Sequence, residues 1–275
     1  MNSKKRASPP VVLTIAGSDN SCGAGLQADL KTITALGGYG LTTATCVVAE
    51  VPGRVSMIQS VTARIVAEQI RLSFAAFPVA AIKTGMLFSA AIIEAVHAAL
   101  LAGAVASKQK PALVIDPVMV ASSGDPLLKP SAIRACRRLL FPLASLVTPN
   151  LGELETLSGQ TIRSLEEMEA AGRTLAAQYR VPFLLKGGHL QHDKAVDLLI
   201  GPDGRKIRYE ADFIRGADPH GTGCAYSAAI ATGLAHGHPL PDAIADAKEF
   251  ITRAIRQRHR WKTTEALDHS APPAA

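Results

Sequence analysis

The stretch His220-Gly221-Thr222-Gly223-Cys224 opens an apolar run, Ala225 to Leu234, whose length and composition predict a helix. Two glycines around a threonine let the backbone turn sharply, so unpaired N–H groups at the helix start can point at one spot. The helix dipole adds partial positive charge at that spot. The stretch therefore predicts an anion-binding site. The alternative is an ordinary helix start with Cys224 as a small buried side chain.

Five further motifs lie upstream, and nearly all of them follow an apolar run typical of a strand buried on both faces. They are Gly17 to Gly25, Lys83-Thr84-Gly85-Met86, Asp116-Pro117-Val118-Met119, Thr148-Pro149-Asn150-Leu151-Gly152-Glu153 and Lys186-Gly187-Gly188-His189. In open α/β sheets ligands bind beyond the carboxyl ends of the strands. We therefore expect the motifs to converge on one crevice.

Strand-like and helical patterns alternate along the chain, which is typical of βαβ units and predicts an α/β fold with a mainly parallel central sheet and helices on both faces. Strands are predicted at 11–16, 42–49, 79–83, 112–116, 144–148 and 182–186, and helices at 26–36, 66–77, 89–103, 130–139, 164–178, 223–236 and 240–258. Gly201-Pro202-Asp203-Gly204, between two strand-like runs, predicts a hairpin at the sheet's edge. We expect one domain, 11–260, between a disordered tail at 1–10 and a tail at 261–275.

The composition limits the class of protein. A chain of 275 residues with 48% hydrophobic and 19% charged residues can bury a large core. Four widely spaced cysteines without a Cys-x-x-Cys pair indicate reduced thiols in a cytoplasmic protein. No signal peptide is expected after Lys4-Lys5-Arg6, and Ala90 to Ala106 carries Glu94 and His97, so no membrane span is predicted. The net charge of +6 is spread without a nucleic-acid motif, so no nucleic-acid partner is expected.

Two of the motifs carry groups that phosphoryl transfer needs. Glu153 could hold Mg²⁺ through water, or it could simply cap the start of a helix. Lys186 before two glycines could contact a phosphate, or it could be an exposed lysine before a turn. No Walker A pattern occurs, and the first glycine turn is a poor Rossmann fingerprint. An anion site, a carboxylate and a lysine together favour phosphoryl transfer from a nucleotide.

Collectively, the motifs resemble those of the hydroxymethylpyrimidine kinase/phosphomethylpyrimidine kinase family of thiamine biosynthesis, within the ribokinase-like superfamily. The resemblance runs from about Val11 to Arg256 and includes Thr14 to Asp19, Gly23 to Lys31 and Ser123 to Leu128. It implies a three-layer sandwich that uses ATP and Mg²⁺ to phosphorylate 4-amino-5-hydroxymethyl-2-methylpyrimidine, its monophosphate, or both. Many members of the superfamily form dimers, so we expect a homodimer.

The resemblance also implies roles for individual residues. Gly17, Asp19, Asp29, Glu50, Met86 and Val118 would bind the pyrimidine; Asn150, Lys186, His220 and Thr222 would bind ATP; Glu153 and Asp116 would hold the magnesium ion. Gly221, Thr222, Gly223 and Cys224 would form the catalytic anion hole with Lys186. Cys224 stands where most related sugar kinases have an aspartate base. A thiol at a helix N-terminus near a basic group is expected to have a lowered pKa and to take that part.

The chain departs from the family at Glu50-Val51-Pro52, where the family usually has Gln-Asn-Thr and the glutamine addresses the pyrimidine edge. An ionised glutamate only accepts hydrogen bonds, whereas glutamine both donates and accepts. We expect Glu50 to bind the aminopyrimidine as a charged partner and to make the Michaelis constant pH-dependent; the rival is a different heterocycle. Asn20 and Cys22 are smaller departures that are not expected to touch the chemistry.

Three other functions remain open at this point. A pyridoxal kinase of the same fold is the closest alternative, although Ser123 to Leu128 favours the pyrimidine enzyme. A hydrolase with a nucleophilic pair of Cys224 and His220 is more distant, because it leaves Glu153 and Lys186 without a role. A catalytically inactive binding protein is the third.

Overall fold

The computed structural model describes residues 8–107, 110–119, 127–188, 190, 193–217 and 220–270. Nine strands form one sheet, in the order β3-β2-β1-β4-β5-β6-β7-β8-β9. In chain order the strands are β1 Val11–Asp19, β2 Tyr39–Val51, β3 Arg54–Ser60, β4 Val79–Thr84, β5 Ala112–Ile115, β6 Leu146–Val147, β7 Phe183–Lys186, β8 Lys194–Ile200 and β9 Lys206–Asp212. The six strands from β2 to β7 in this order run parallel, and β3, β8 and β9 are antiparallel to their neighbours.

Helices cover both faces of the sheet. They are α1 Gly25–Ala35, α2 Ala63–Ala76, α3 Ala90–Ser107, α4 Pro130–Ala135, α5 Leu151–Ser158, α6 Leu165–Tyr179, α7 Thr222–Ala235 and α8 Leu240–Arg256. Alternate side chains of β1 enter two separate cores: Leu13 and Ile15 pack with α2 and α3, while Val12 packs with α7 and α8. This alternation follows from the two-residue period of a strand, and it makes the expected three layers.

The predicted edge hairpin is confirmed, since β8 and β9 end the sheet around Gly201–Gly204. The opposite edge was not predicted. There Pro52 and Gly53 turn β2 back into β3, whose first six residues are all exposed. A strand that is exposed on both faces has no inward apolar set to reveal it, which is why the sequence pattern missed it.

Three further features differ from the sequence-based expectations. Helix α5 is absent from the predicted helices, because it spans only eight residues; only the alternative that Glu153 caps a helix start implies it. The helix predicted at 130–139 is α4 followed by a π-helical segment, Cys136–Leu140. The predicted tail at 261–275 is wrong over its first part: Glu265–Ala266 pairs with His259–Arg260, and Leu267 is buried against α7 and α8. Residues 1–7 and 271–275 of the predicted tails lie outside the described residues.

Helix α3 is long and apolar enough, by length and composition, to cross a membrane. In the structure it packs on the sheet and on α2, and Ile92, Ile93 and Val96 are buried there. Its remaining face carries Glu94 and several alanines. Such a pattern is typical of a core-facing helix in an α/β protein.

Candidate active site

A cavity of about 420 Å³ lies at the carboxyl ends of the central strands. Its wall includes Gly17 near the end of β1, Met86 after β4, Asp116 after β5 and Lys186 at the end of β7, together with the loop His220–Cys224. The chain order reverses between β1 and β4, and this reversal opens the crevice. The motifs therefore meet at one place, as the sequence predicts.

The two glycine turns of the site are in direct contact. Gly221 has a φ of +87° and precedes α7, and a Cβ built on it would lie 1.8 Å from the carbonyl oxygen of Gly23. Gly25 has a φ of +57°, and a Cβ there would lie 2.4 Å from the oxygen of Gly17. Only glycine permits both the left-handed conformation and this approach. The turn at residues 20–25 thus sets the position of the His220–Cys224 loop.

Asp19 stabilises the first glycine turn, residues 20–25, through its carboxylate. Its carboxylate accepts hydrogen bonds from the N–H groups of Ser21, Gly23 and Ala24, and lies 3.2 Å from His220 Nε2. Burial alone would raise the pKa of Asp19, but the hydrogen bonds, led by that of His220, lower it to about 2. The side chain is buried and does not line the cavity. The structure therefore gives Asp19 a structural role in place of the predicted contact with substrate.

Asp29 likewise differs from its predicted role. Its carboxylate lies 2.8 and 2.9 Å from Lys83 Nζ and accepts a hydrogen bond of 2.5 Å from Thr14. Both charged side chains are fully buried beneath the cavity. Burial opposes the charge on Lys83, yet Asp29, with Cys224 and Asp116, raises its pKa. A contact of Asp29 with substrate is not possible in this arrangement, because no part of the side chain is accessible.

The basic and acidic groups of the predicted nucleotide end are brought together. Lys186 Nζ lies 3.1 Å from Asp116 Oδ1 and 3.2 Å from the point where a Cβ on Gly223 would stand. Ser227, one turn into α7, donates to Asp116 Oδ2 over 3.2 Å. Burial opposes the charge on Lys186, but Asp116 and Glu153 raise its pKa. An ammonium group thus stands against the start of α7, where backbone N–H groups also point.

Glu153 caps α5, as one of the two alternatives predicts. It accepts from the N–H of Asn150, while Asn150 Oδ1 accepts from the N–H of Glu153, which makes a reciprocal capping box. Its other oxygen accepts from Met119 N–H. Burial and then Asp116 raise the pKa of Glu153 to about 7, against the effect of Lys186. The carboxylates of Asp116 and Glu153 both line the cavity, and both act on the same lysine, Lys186.

The predicted low pKa of Cys224 is wrong. Burial raises the pKa of this thiol to about 11; Lys83 opposes the rise, and Asp29 and Asp116 add to it. Burial outweighs both Lys83 and the helix N-terminus, so the thiol is protonated at neutral pH. His220 is turned toward Asp19. Both observations disfavour a nucleophilic pair of Cys224 and His220.

The predicted substrate end is lined by Gly17, Glu50, Met86 and Val118. A Cβ on Gly17 would lie 2.9 Å from Met86 Cε, so the wall is close-packed there. Val118 has a φ of +43°, an uncommon conformation for a β-branched residue. The hydrogen bond of the next residue, Met119, to Glu153 fixes it. Backbone strain of this kind is typical of binding sites.

Glu50 sits beside His220 in this wall, and its backbone N–H donates to Asn20 Oδ1 over 2.7 Å. Asn20 therefore does touch the proposed substrate end, contrary to the sequence-based expectation. Ligand atoms of Asp19, Glu50 and His220 lie within 4.8 Å of one another. The oxygens of Asp19 already accept several hydrogen bonds, which favours a polar wall over a metal centre at this place.

The far end of the cavity was missed by sequence reasoning. Phe213 and Ile214 after β9 face Ile251 and Ile255 of α8. Beneath them Lys248 donates to Asp197 over 2.7 Å, and Asp197 accepts from the N–H of Gly187, next to Lys186. The sequence did contain a signal for this end of the cavity: Lys248 stands among the apolar positions of α8. The Ser123–Leu128 motif lies outside the described residues over positions 123–126.

A family model described as phosphomethylpyrimidine kinase matches residues 19–268. The chain belongs to this family. It is 46% identical over 246 residues to the thiamine biosynthesis bifunctional protein ThiED of Geobacter sulfurreducens, of which it spans 49%. It is 41% identical to the hydroxymethylpyrimidine/phosphomethylpyrimidine kinase of Rhizobium meliloti, and the match covers 91% of this chain and 92% of that protein.

The solved structures that resemble this chain include enzymes with two different activities. The ADP complex of Bacillus subtilis pyridoxal kinase is 36% identical with a TM-score of 0.86, covering 96% of this chain and 98% of that chain. Phosphomethylpyrimidine kinase of Clostridium difficile is 36% identical with a TM-score of 0.76, covering 90% and 99%. Both are ribokinase-like folds, so the predicted fold is confirmed.

Proposed function

We propose that this protein transfers the terminal phosphoryl group of ATP to 4-amino-5-hydroxymethyl-2-methylpyrimidine, to its monophosphate, or to both. Membership of the family and the many relatives with that name support the reaction. The observation that carries the site is the meeting of three residues at the start of α7: Lys186 Nζ lies 3.1 Å from Asp116 Oδ1, and a Cβ built on Gly223 would lie 3.2 Å from Lys186 Nζ and 3.8 Å from Asp116 Oδ2. Phosphoryl transfer depends on such positioning and charge neutralisation more than on covalent chemistry.

The acceptor would lie at the end of the cavity lined by Gly17, Met86 and Val118, with its hydroxymethyl group toward the His220–Cys224 loop. The backbone N–H groups of Gly221 to Gly223 would hold the phosphoryl oxygens, with Lys186 as the cation. Cys224 enters the reaction protonated and is secondary to this anion hole. The nucleoside would extend past Asn150 and Thr222 to the apolar end between Phe213 and α8.

A magnesium ion fits the carboxylates beside Lys186. Asp116 and Glu153 are buried and repel each other, and a single ammonium group balances the two negative charges only in part. Each carboxylate keeps lone pairs that its present hydrogen bonds do not use. Glu153 and Asp116 would hold the ion through water, as Mg²⁺ prefers. When bound, the ion would supply the charge that neutralises the donor phosphates.

Pyridoxal kinase remains the second candidate. The resemblance to the Bacillus subtilis enzyme covers almost the whole chain. The same arrangement of Lys186, Gly223 and Cys224 would serve either acceptor, because both present a hydroxymethyl group on a six-membered heteroaromatic ring. The difference between them must therefore arise in the wall that faces the ring.

We further propose that the protein is a cytoplasmic homodimer without nucleic-acid or membrane partners. All four cysteines are free thiols, which agrees with a reducing compartment. Val55, Met57 and Ile58 of the edge strand β3 are exposed and supply an apolar surface for a second copy. A monomer in sedimentation velocity at micromolar concentration would contradict the dimer.

The test is product formation with ATP and MgCl₂, read by mass, for the hydroxymethylpyrimidine, its monophosphate and pyridoxal in separate reactions. We expect the pyrimidine diphosphate from the monophosphate. Lys186→Met should lower kcat at least about 100-fold, since one donor at a developing charge is worth that much. Lys262→Met, at an exposed lysine, is the control. Turnover of pyridoxal alone would transfer the assignment to the second candidate.

A further inference from the structure

Asp197 and Lys248 form a buried ion pair next to Lys186. Lys248 Nζ donates to Asp197 Oδ2 over 2.7 Å, and both side chains are buried in the wall of the cavity. A buried ion pair adds little net stability, because the removal of two charges from water costs about as much as their attraction returns. The position of the pair beside Lys186 therefore explains it better than a gain in stability does.

Asp197 is the cross-strand partner of Lys186. In the antiparallel pairing of β7 with β8, Lys186 stands directly opposite Asp197. Two positions earlier in β7, Leu184 is paired with Leu199, and both pack in the core with α7 and α8. Side chains that are directly opposite leave the sheet on the same face, and a long side chain reaches its partner there. Asp197 is thus within the range of the Lys186 ammonium group, on the face that α7 and α8 cover.

The ammonium group of Lys186 nevertheless points to a different carboxylate. Its Nζ lies 3.1 Å from Asp116 Oδ1, beside the start of α7. Both oxygens of Asp197 already accept a hydrogen bond: Oδ1 from the N–H of Gly187 over 3.2 Å, and Oδ2 from Lys248. Lys248 thus neutralises the carboxylate that would otherwise compete with Asp116 for Lys186.

Lys248 itself is held between two helices. It belongs to α8, and its Nζ lies 6.0 Å from the centroid of the Tyr226 ring on α7, a distance at which a cation is attracted to an aromatic face. Tyr226 is buried and stands two residues after Cys224. The ion pair therefore joins β8 and α8 to the helix whose start forms the proposed anion hole.

We propose that Lys248 is a positioning residue for Lys186: it occupies and neutralises Asp197, so that the Lys186 ammonium group stays at Asp116 and the start of α7, where the phosphoryl group would be transferred. Without Lys248, the Asp197 carboxylate would draw Lys186 away from that point. This inference rests on the proposed function, because it assumes that Lys186 is the cation of phosphoryl transfer.

The experiment is a double-variant cycle on kcat with ATP, MgCl₂ and the pyrimidine monophosphate, at a temperature where thermal melts show each variant folded. We expect Lys248→Met to lower kcat at least about tenfold, a part of the loss for Lys186→Met. In the Lys186→Met background, Lys248→Met should change kcat less than about twofold, because its effect passes through Lys186. Lys206→Met is the control: it truncates a lysine paired with Glu169 over 2.6 Å outside the cavity wall, and kcat should stay unchanged.

Asp197→Asn supplies the second measurement. Asparagine keeps an oxygen for the N–H of Gly187 but carries no charge that attracts Lys186. We expect Asp197→Asn to restore most of the kcat that Lys248→Met alone loses. The combined variant buries no unpaired charge at this place, so it carries the test even if Lys248→Met alone does not fold.

Two results would overturn the inference. Equal losses for Lys248→Met in the wild-type and Lys186→Met backgrounds would assign Lys248 a direct contact with the nucleotide or a purely structural role. A folded combined variant of Lys248→Met and Asp197→Asn with a kcat as low as that of Lys186→Met would have the same meaning. Both results leave the proposed function standing, whereas wild-type protein that phosphorylates no acceptor would overturn the proposed function first.

Discussion

The buried pair of Lys83 and Asp29 leads to the sharpest prediction about stability. The two side chains are fully buried, 2.8 Å apart. Unit charges at that distance attract by about 6 kcal/mol at an effective dielectric constant of about 20. Lys83→Met removes the ammonium group and leaves the Asp29 carboxylate with Thr14 as its remaining partner. Removal of one member of a buried pair costs about 3–5 kcal/mol. That loss is a large share of the roughly 5–15 kcal/mol by which domains are stable.

Urea denaturation of Lys83→Met, Asp29→Asn and the double variant measures this loss. We expect the double variant to lose less than the sum of the single losses, because the residues are in direct contact. Arg71→Met is the matched control: Arg71 pairs with Glu68 over 2.6 Å, but both side chains are more than half exposed. An exposed pair of this kind contributes less than about 1 kcal/mol.

A loss for Lys83→Met no greater than that for Arg71→Met would refute the reasoning. The same variants separate the two roles considered for Asp29. If Asp29 contacted substrate, Asp29→Asn would raise the acceptor KM and leave the free energy of unfolding unchanged. The structure predicts the opposite result: Asp29→Asn should lower the free energy of unfolding and affect the acceptor KM less, because the side chain lies beneath the cavity.

Four further outcomes follow from the site and the C-terminal region. Cys224→Ala should keep at least about a tenth of wild-type kcat, because a thiol with a pKa of about 11 is a poor base and the transition state is loose; a loss of more than about 100-fold would contradict this. Gly221→Ala should lower kcat at least about 100-fold in steady-state assays, because the φ of +87° disfavours any side chain and a Cβ would lie 1.8 Å from the carbonyl oxygen of Gly23. Burial and then Asp19 raise the pKa of Glu50, against His220, so the pyrimidine KM should rise as the pH falls toward that pKa, and the KM of Glu50→Gln should not. Burial lowers the pKa of His269 to about 4, so thermal melts should show stability that is complete above pH 6.5 and lost as the pH falls toward 4, but not in His269→Gln.

The last two outcomes have direct counter-results. An equal rise of KM in wild type and Glu50→Gln would assign the pH dependence to a group other than Glu50. Asp19 and His220 are the titratable groups that lie next to Glu50. Parallel melting curves for wild type and His269→Gln between pH 7 and pH 4 would show that His269 is solvated. In that case the region around Leu267 would behave as the C-terminal tail that the sequence predicts.

Most of the fold could be predicted from local patterns. Val11 to Ala16 reads as a buried strand because its residues face two cores, and α1 reads as a helix because its apolar residues recur at helical spacing. These signals lie within single elements. Strand β3 and the pairing of Glu265 with Arg260 were not predicted, because exposed or very short elements have no periodic pattern of apolar residues.

The sequence by itself determined that the motifs meet at one edge of a parallel sheet, because the order of strands and turns already requires it. Only the tertiary structure decided which charged groups reach the cavity. Asp116 lies on its wall, whereas Asp29 is paired with Lys83 beneath it. The pKa of Cys224 was decided in the same way. Burial and the charge of a side chain's surroundings are sums over residues far apart in the chain, such as Asp29 and Asp116 around Cys224, and no local pattern contains them.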